Sequence, residues 1–309
     1  GVQGRLPVAL GPWGSLLVTD VVRRATRGEA VVEPLLRLTP IDGRPAPVAT
    51  ASIVDTTSGD PITVMPAAVS DEALAVPVVA HNPGVGASRW RSDLMLHNPG
   101  PIAARFRLEL RPADDWPTVH RTPWLALAAG ASVRYRDVVE SVFGQGGTGW
   151  VRVALSSGQL AGASRSYDVG APSPLGHPVP AVDEGSVRSD GAAWAVGLRV
   201  SRDPGRRLRT RIGVTNLETR GTGVVVDVVR VDDGARLATH RIPVFDGQQR
   251  FMSIRPDDGW FLEGENEVEV VLKATGVSVG GIRSRLLVFG STIDATTGDA
   301  QFALASPLP

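Results

Sequence analysis

The chain has 309 residues, 42% hydrophobic and 21% charged, with 32 basic side chains against 32 acidic ones and no cysteine. That balance is globular rather than disordered, and zero net charge argues against nucleic acid or an anionic membrane surface as the main partner. Without cysteine there is no disulfide framework and no thiolate metal site. Lys273 is the only lysine, and the Arg-, Ala-, Val- and Gly-rich usage fits a GC-rich coding genome. Residues Gly1 to Leu10 lack the basic-then-apolar pattern of a signal peptide, and no apolar run reaches the ~18 residues of a membrane helix. Because the chain begins at Gly1 rather than methionine, its natural start is expected to precede it.

In chain order, the first stretch offers a helix start at Asp20-Val21-Val22, apolar strands around Leu35–Leu38 and Val48–Val54, and a polar turn, Asp55-Thr56-Thr57-Ser58-Gly59-Asp60. Next comes Arg89-Trp90-Arg91-Ser92-Asp93-Leu94-Met95-Leu96-His97-Asn98, a strand ending in an Asn-initiated turn. Phe106, Leu108 and Leu110 then alternate with Arg105, Arg107 and Glu109, the period-2 signature of a strand with one buried face. Asp137-Val138-Val139-Glu140 has capping-box spacing and predicts a short helix. Val151, Val153 and Leu155 alternate as another strand before Ser164–Asp168, and the polar Asp183–Asp190 reads as a linker.

The Arg89–Asn98 pattern then returns 118 residues later as Arg207–Asn216. Val224, Val226 and Val228 repeat the phase of Phe106, Leu108 and Leu110 at the same offset. Gly247 repeats Gly130 at 117, and the closing turn returns as Asp294-Ala295-Thr296-Thr297-Gly298-Asp299. The chain is therefore a repeat of modules of about 117 residues. The expected fold is all-β: tandem antiparallel β-sandwich modules, each with one short helical turn, with an eight-stranded barrel per module as the alternative. The boundaries read as residues 1–68, the C-terminal half of a module, then complete modules at 69–182 and 190–309. The half module is expected to expose an apolar face unless something outside 1–309 completes it.

This layout resembles the tandem β-sandwich modules, Ig-like in architecture only, of large secreted bacterial surface proteins. The resemblance rests on the Arg-x-Ser/Thr strand closing in Asn and on the Asp-x-Thr-x-Gly-Asp turn. It implies an extracellular or cell-surface location and a non-catalytic structural or adhesive role in a stalk, surface layer or fibre, with partners among other modules of a longer chain or neighbouring subunits. The alternative is a carbohydrate-binding accessory region of an exported enzyme.

Each candidate site has a plainer reading beside it. Asp55, Asp60, Asp294 and Asp299 are the candidate calcium ligands, but six to eight oxygens are needed and the EF-hand pattern is absent, so a metal-free Asx turn in a hairpin is favoured and no cofactor is expected. Arg89, Arg91, Arg207, Arg209 and Arg211 form a basic strand face, read either as an acidic-polymer site or as cations paired with Glu109 and Asp227 on the next strand. The seven Trp do not recur between copies (Trp90 becomes Leu208, Trp124 becomes Arg241, Trp150 becomes Glu267), which favours core or seam packing over a sugar-stacking row, although a glycan site in the middle module stays open. No histidine has metal-ligand spacing and no nucleophile elbow or phosphate loop occurs, so no catalytic residue is assigned.

Overall fold

The computed structural model describes all residues except 1–3, 12–13, 30, 32–33, 41–48, 55–60, 85, 171–175, 188–191, 204–207, 278–284, 295, 298–299 and 308–309. The chain divides into two units, Gly1–Ala49 and Thr50–Pro309.

In the first unit the regular element is α1 (Val21–Ala25), which buries none of its residues. Asp20 opens it in the left-handed region (φ 49°) without a side-chain cap. Leu35–Leu38 is not a strand: Leu35, Leu36 and Leu38 lie exposed in irregular backbone. Leu10, Leu16 and Leu17 are exposed as well.

The second unit begins with a hairpin of β1 (Ala51–Val54) and β2 (Pro61–Val64). A first group of strands follows: β3 (Val69–Ser70), β4 (Ala73–Pro83), β5 (Arg89–His97), β6 (Ala104–Pro112), β7 (His120–Arg121), β8 (Leu125–Leu127), β9 (Ser132–Tyr135), α2 (Val138–Phe143), β10 (Gly147–Ser157), β11 (Leu160–Asp168), β12 (His177–Pro180) and β13 (Val182–Asp183). The remainder is β14 (Ala192–Ser201), β15 (Leu208–Asn216), β16 (Thr222–Arg230), β17 (Arg236–Val244), β18 (Gln249–Ser253), a 3-10 turn at Asp258–Trp260, β19 (Glu267–Val277), β20 (Leu286–Asp294), β21 (Ala300–Leu304) and β22 (Ser306–Pro307).

Every sheet pairing among the described residues is antiparallel. In the first group one layer runs β9-β5-β11-β12, and the other runs from β7 and β8 through β6, β10 and β4 to β13. In the second group β18-β15-β20-β21 faces β17-β16-β19-β14-β22. Position by position these are the same strand orders. Among the described residues two added links distinguish the first group: β3 pairs with β11, and β4 pairs with β5 at His81, Asn82 and Pro83, which joins its two layers into a single sheet.

Alternation builds each core. Phe106, Leu108 and Leu110 of β6 pack with Leu94, Leu96, Val151 and Val153, while Val224, Val226 and Val228 of β16 pack with Ile212, Val214, Val268 and Val270. All of these are buried, as one phase shared at one offset requires, since a one-residue slip would turn each set to solvent. Ser92 and Ser166 share a hydroxyl hydrogen bond across the β5–β11 pair, and Thr210 and Thr292 do so across β15–β20.

The Asn turn is equally faithful. Asn98 donates to the Ile102 and Leu127 carbonyls and accepts from the Gly100 N–H; Asn216 donates to Arg220 and Phe245 and accepts from Glu218. Each pins the strand end to two later loops, and both side chains are fully buried. Gly130 and Gly247 sit beneath these loops at φ 69° and 62°, the left-handed region that glycine enters without a Cβ penalty.

Candidate functional site

Of the turn residues proposed for calcium, Asp294 lies among the described residues. Asp294 lies at the end of β20, and its Oδ1 accepts from the Thr296 and Thr297 N–H groups at 2.7 and 3.2 Å, an Asx-type turn. Asp55, Asp60 and Asp299 lie outside the described residues. Among the described residues no three His, Cys, Asp or Glu side chains converge as a metal would need. Asp168, the middle-copy counterpart, accepts from the Arg89 and Gly170 N–H groups. Burial would raise its pKa, but those hydrogen bonds hold it below the ordinary carboxylate value.

Among the described residues the basic face does not pair with Glu109 or Asp227. The chain crosses from one layer to the other between β5 and β6, so Arg91 and Glu109 stand on different layers. Arg91 instead meets Asp137 at 3.1 Å. Arg209 is partly buried with no partner for its Nε, and burial lowers its pKa; Arg211 is exposed; Arg207 lies outside the described residues.

Asp137 does not cap α2. It sits in the left-handed region (φ 46°) with no side-chain cap bond. Its carboxylate accepts from His81 Nδ1 at 2.8 Å, and its N–H donates to Asp93. Asp93 is fully buried on the outer side of β5, ringed by Arg134 at 2.5 Å, Arg165 at 3.3 Å and the Tyr167 hydroxyl at 3.1 Å. A lone buried carboxylate is tolerable because these donors satisfy it. This constellation is absent from the second sandwich, where register places Arg211, Phe251, Ser291 and Ile293 at the positions of Asp93, Arg134, Arg165 and Tyr167. Sequence reasoning missed it because its members lie up to 86 residues apart, on four elements. The available signal was that Asp93 breaks the Arg-x-Ser/Thr-x repeat where Arg211 stands.

The second feature is a seam between the sandwiches. Trp150, on the outer side of β10, is fully buried and donates its indole N–H to the Gly247 carbonyl at 2.9 Å. Around it Ala75 packs with Leu287, flanked by Val182, Val187 and Leu217. Trp116 stacks on Phe245 at 5.1 Å and donates to the Asp246 carbonyl. Gln249 reaches the Pro77 carbonyl, and Phe302 of β21, partly buried, packs against the core of the first sandwich beside His177. The described Trp residues are thus dispersed among cores and seam; the large exposed rings among the described residues are Trp116, Trp124 and Phe245.

Beside the seam opens a cleft of about 260 Å³, where Arg152 pairs with Glu184 at 2.8 Å and Arg285 with Glu218 at 2.6 Å. Burial alone would lower the Arg152 pKa, but the Glu184 hydrogen bond and the Glu109 charge carry it above the ordinary value. Behind the cleft-lining Arg111 and Arg152, Glu109, 2% exposed, is met by four guanidiniums: Arg107 at 2.7 Å, Arg121 at 3.3 Å, and Arg111 and Arg152 at 3.9 Å each. The strand lattice produces this ring. Arg107 and Arg111 flank Glu109 on the same face of β6, while Arg121 and Arg152 are its cross-strand neighbours on β7 and β10. No helix among the described residues is long and apolar enough to cross a membrane.

No protein-family model matches this chain, and no curated protein matches it. Among solved structures it is similar to the PBSX exported protein XepA at 12% identity and a TM-score of 0.23, covering 85% of this chain and 99% of that one. It is also similar to a protein from Parabacteroides distasonis, provisionally described as secreted, at 9% identity and a TM-score of 0.17, covering 79% and 90%.

Proposed function

We propose that the chain is a non-catalytic structural or adhesive scaffold segment of an extracellular repeat protein, built from tandem β-sandwich modules at 69–182 and 190–309 and half of another at 1–68. The observation that carries this reading is the seam. Two sandwiches of the same strand order are held to one another by a buried Trp150, its donated hydrogen bond to Gly247 and Phe302 packed against the neighbouring core. A binding or catalytic module needs no rigid neighbour, whereas a stalk or fibre transmits load through such joints. The resemblance of the Arg-x-Ser/Thr-to-Asn strand to secreted surface modules adds the location. The test is immunolabelling of intact and permeabilised cells of the organism of origin. Label on intact cells is the expected outcome; label that appears only after permeabilisation would overturn the proposal.

A further inference from the structure

The outer face of β6 and its neighbours carries more cationic charge than its partners neutralise. Arg105, Arg107 and Arg111 stand on one face of β6, with Glu109 between the last two and Arg121 and Arg152 on the flanking strands. Against these five stand Glu109 and Glu184, with Asp246 across the cleft. The shortfall shows in the individual groups. Arg105 is exposed and has no acid partner among the described residues. The Nε atoms of Arg107 and Arg111 are buried without a hydrogen-bond partner. Arg111 reaches Glu109 only at 3.9 Å, and burial lowers its pKa against that attraction.

An aromatic ring stands in the same row. Trp124 is 39% exposed, with the Arg105 and Arg107 guanidiniums 5.5 and 5.0 Å from its ring centroid. A guanidinium held against an indole face keeps its in-plane N–H groups for a planar acid, and stacking fixes its direction before a ligand arrives. Alternate strand positions stand roughly 7 Å apart, so Arg105 to Arg111 gives a track of roughly 20 Å that ends at the cleft, the length of a few sugar units.

We infer that this track, Arg105, Arg107, Arg111 and Arg121 with Trp124, is a binding site for an acidic polysaccharide whose carboxylate or sulfate groups pair with the guanidiniums. A nucleic acid fits less well. The zero net charge of the chain gives little long-range attraction for a dense phosphate backbone, and one exposed ring in the row offers little base stacking. The inference does not depend on the scaffold reading: cell labelling reports location, whereas the following experiment reports recognition.

The experiment is calorimetric titration of the full chain at low salt with polygalacturonate (carboxylate), heparin (sulfate), dextran (neutral) and polyphosphate. Binding to polygalacturonate, to heparin or to both, weakening as NaCl rises and missing for dextran, is the expected result, and the arm that binds identifies the acid group. Arg105→Gln combined with Arg107→Gln should weaken it about tenfold, whereas Arg250→Gln, an exposed arginine of β18, should leave it unchanged. Should the double variant melt early, Arg105→Gln alone is read, since that side chain is exposed. No binding above dextran, an equal loss in Arg250→Gln, or tighter binding of polyphosphate per charge would each overturn the assignment.

Discussion

The outer face of the β9-β5-β11-β12 layer and that of β18-β15-β20-β21 occupy the same place in their sandwiches, yet they share almost no chemistry. Register aligns Met95 with Gly213, Arg134 with Phe251, Ala163 with Phe289 and Pro178 with Phe302. The inner faces of the same strands agree: Leu94 with Ile212, Leu96 with Val214, Ser92 with Thr210, Asn98 with Asn216. Inner residues answer to the same opposing sheet in both copies. Outer residues answer to whatever lies across from them. In the second sandwich that is the seam, so the face is aromatic, and Gly213 carries no Cβ because one would overlap the Phe289 ring. In the first it is the polar network centred on Asp93.

The largest effect should come from Asp93→Asn. It removes the charge that Arg134 and Arg165 face and leaves a buried amide among donors, so a loss of about 3 to 4 kcal/mol is expected in urea unfolding. Arg211→Asn, at the equivalent exposed position, should change stability by less than about 0.5 kcal/mol. Similar losses at both positions would break the contrast between the faces. Next, Gly213→Ala must displace Phe289 and should cost about 3 kcal/mol, while Met95→Ala on the first sandwich should cost about 1 kcal/mol.

A pH effect of comparable size is expected at the seam. His177 is buried between Trp90 and Phe302, its Nδ1 is unpartnered, and burial lowers its pKa to about 4. The folded state thus holds the neutral ring, and the unfolded chain binds the extra proton between the two pKa values. Stability is full above about pH 6.5 and falls as pH drops toward 4, by about 3 kcal/mol in total. The register counterpart is Gln301, so His177→Gln should flatten that part of the pH profile. An unchanged slope would remove His177 from the seam's account. The smallest contrast is an expected equality: Asn98→Ala and Asn216→Ala each strand the same two carbonyls and one N–H, so each should cost about 2 kcal/mol. A difference above about 1 kcal/mol would show that the two turns are not the same device.

What the residues revealed in advance follows the same division. The period-2 strands and the Asn turn were legible because each is set by near neighbours or by the sandwich interior. Residues facing another layer from outside were not. Trp150 and Gly247 meet across 97 positions, and nothing local to either announces the other. Asp137 was misread as a helix cap because its spacing to Glu140 is right, while His81, Arg91 and Asp93 reach it from distant strands. Glu109 looked like an ordinary solvent-side strand residue until four arginines closed over it.

The short ladder between β4 and β5 bears on the order in which the chain acquires structure. His81 to Pro83 meet Arg89 to Arg91 across a tight hairpin whose Gly84 N–H bonds the Ser88 carbonyl. Such a closure spans few residues and forms on the microsecond scale, with little chain entropy lost before contacts accumulate. The second sandwich has a short closure of its own, where β16 and β17 pair across residues 231–235. The first sandwich leaves the ribosome first. It therefore has the time to assemble ahead of its neighbour, leaving Trp150 in place when the Gly247 loop arrives.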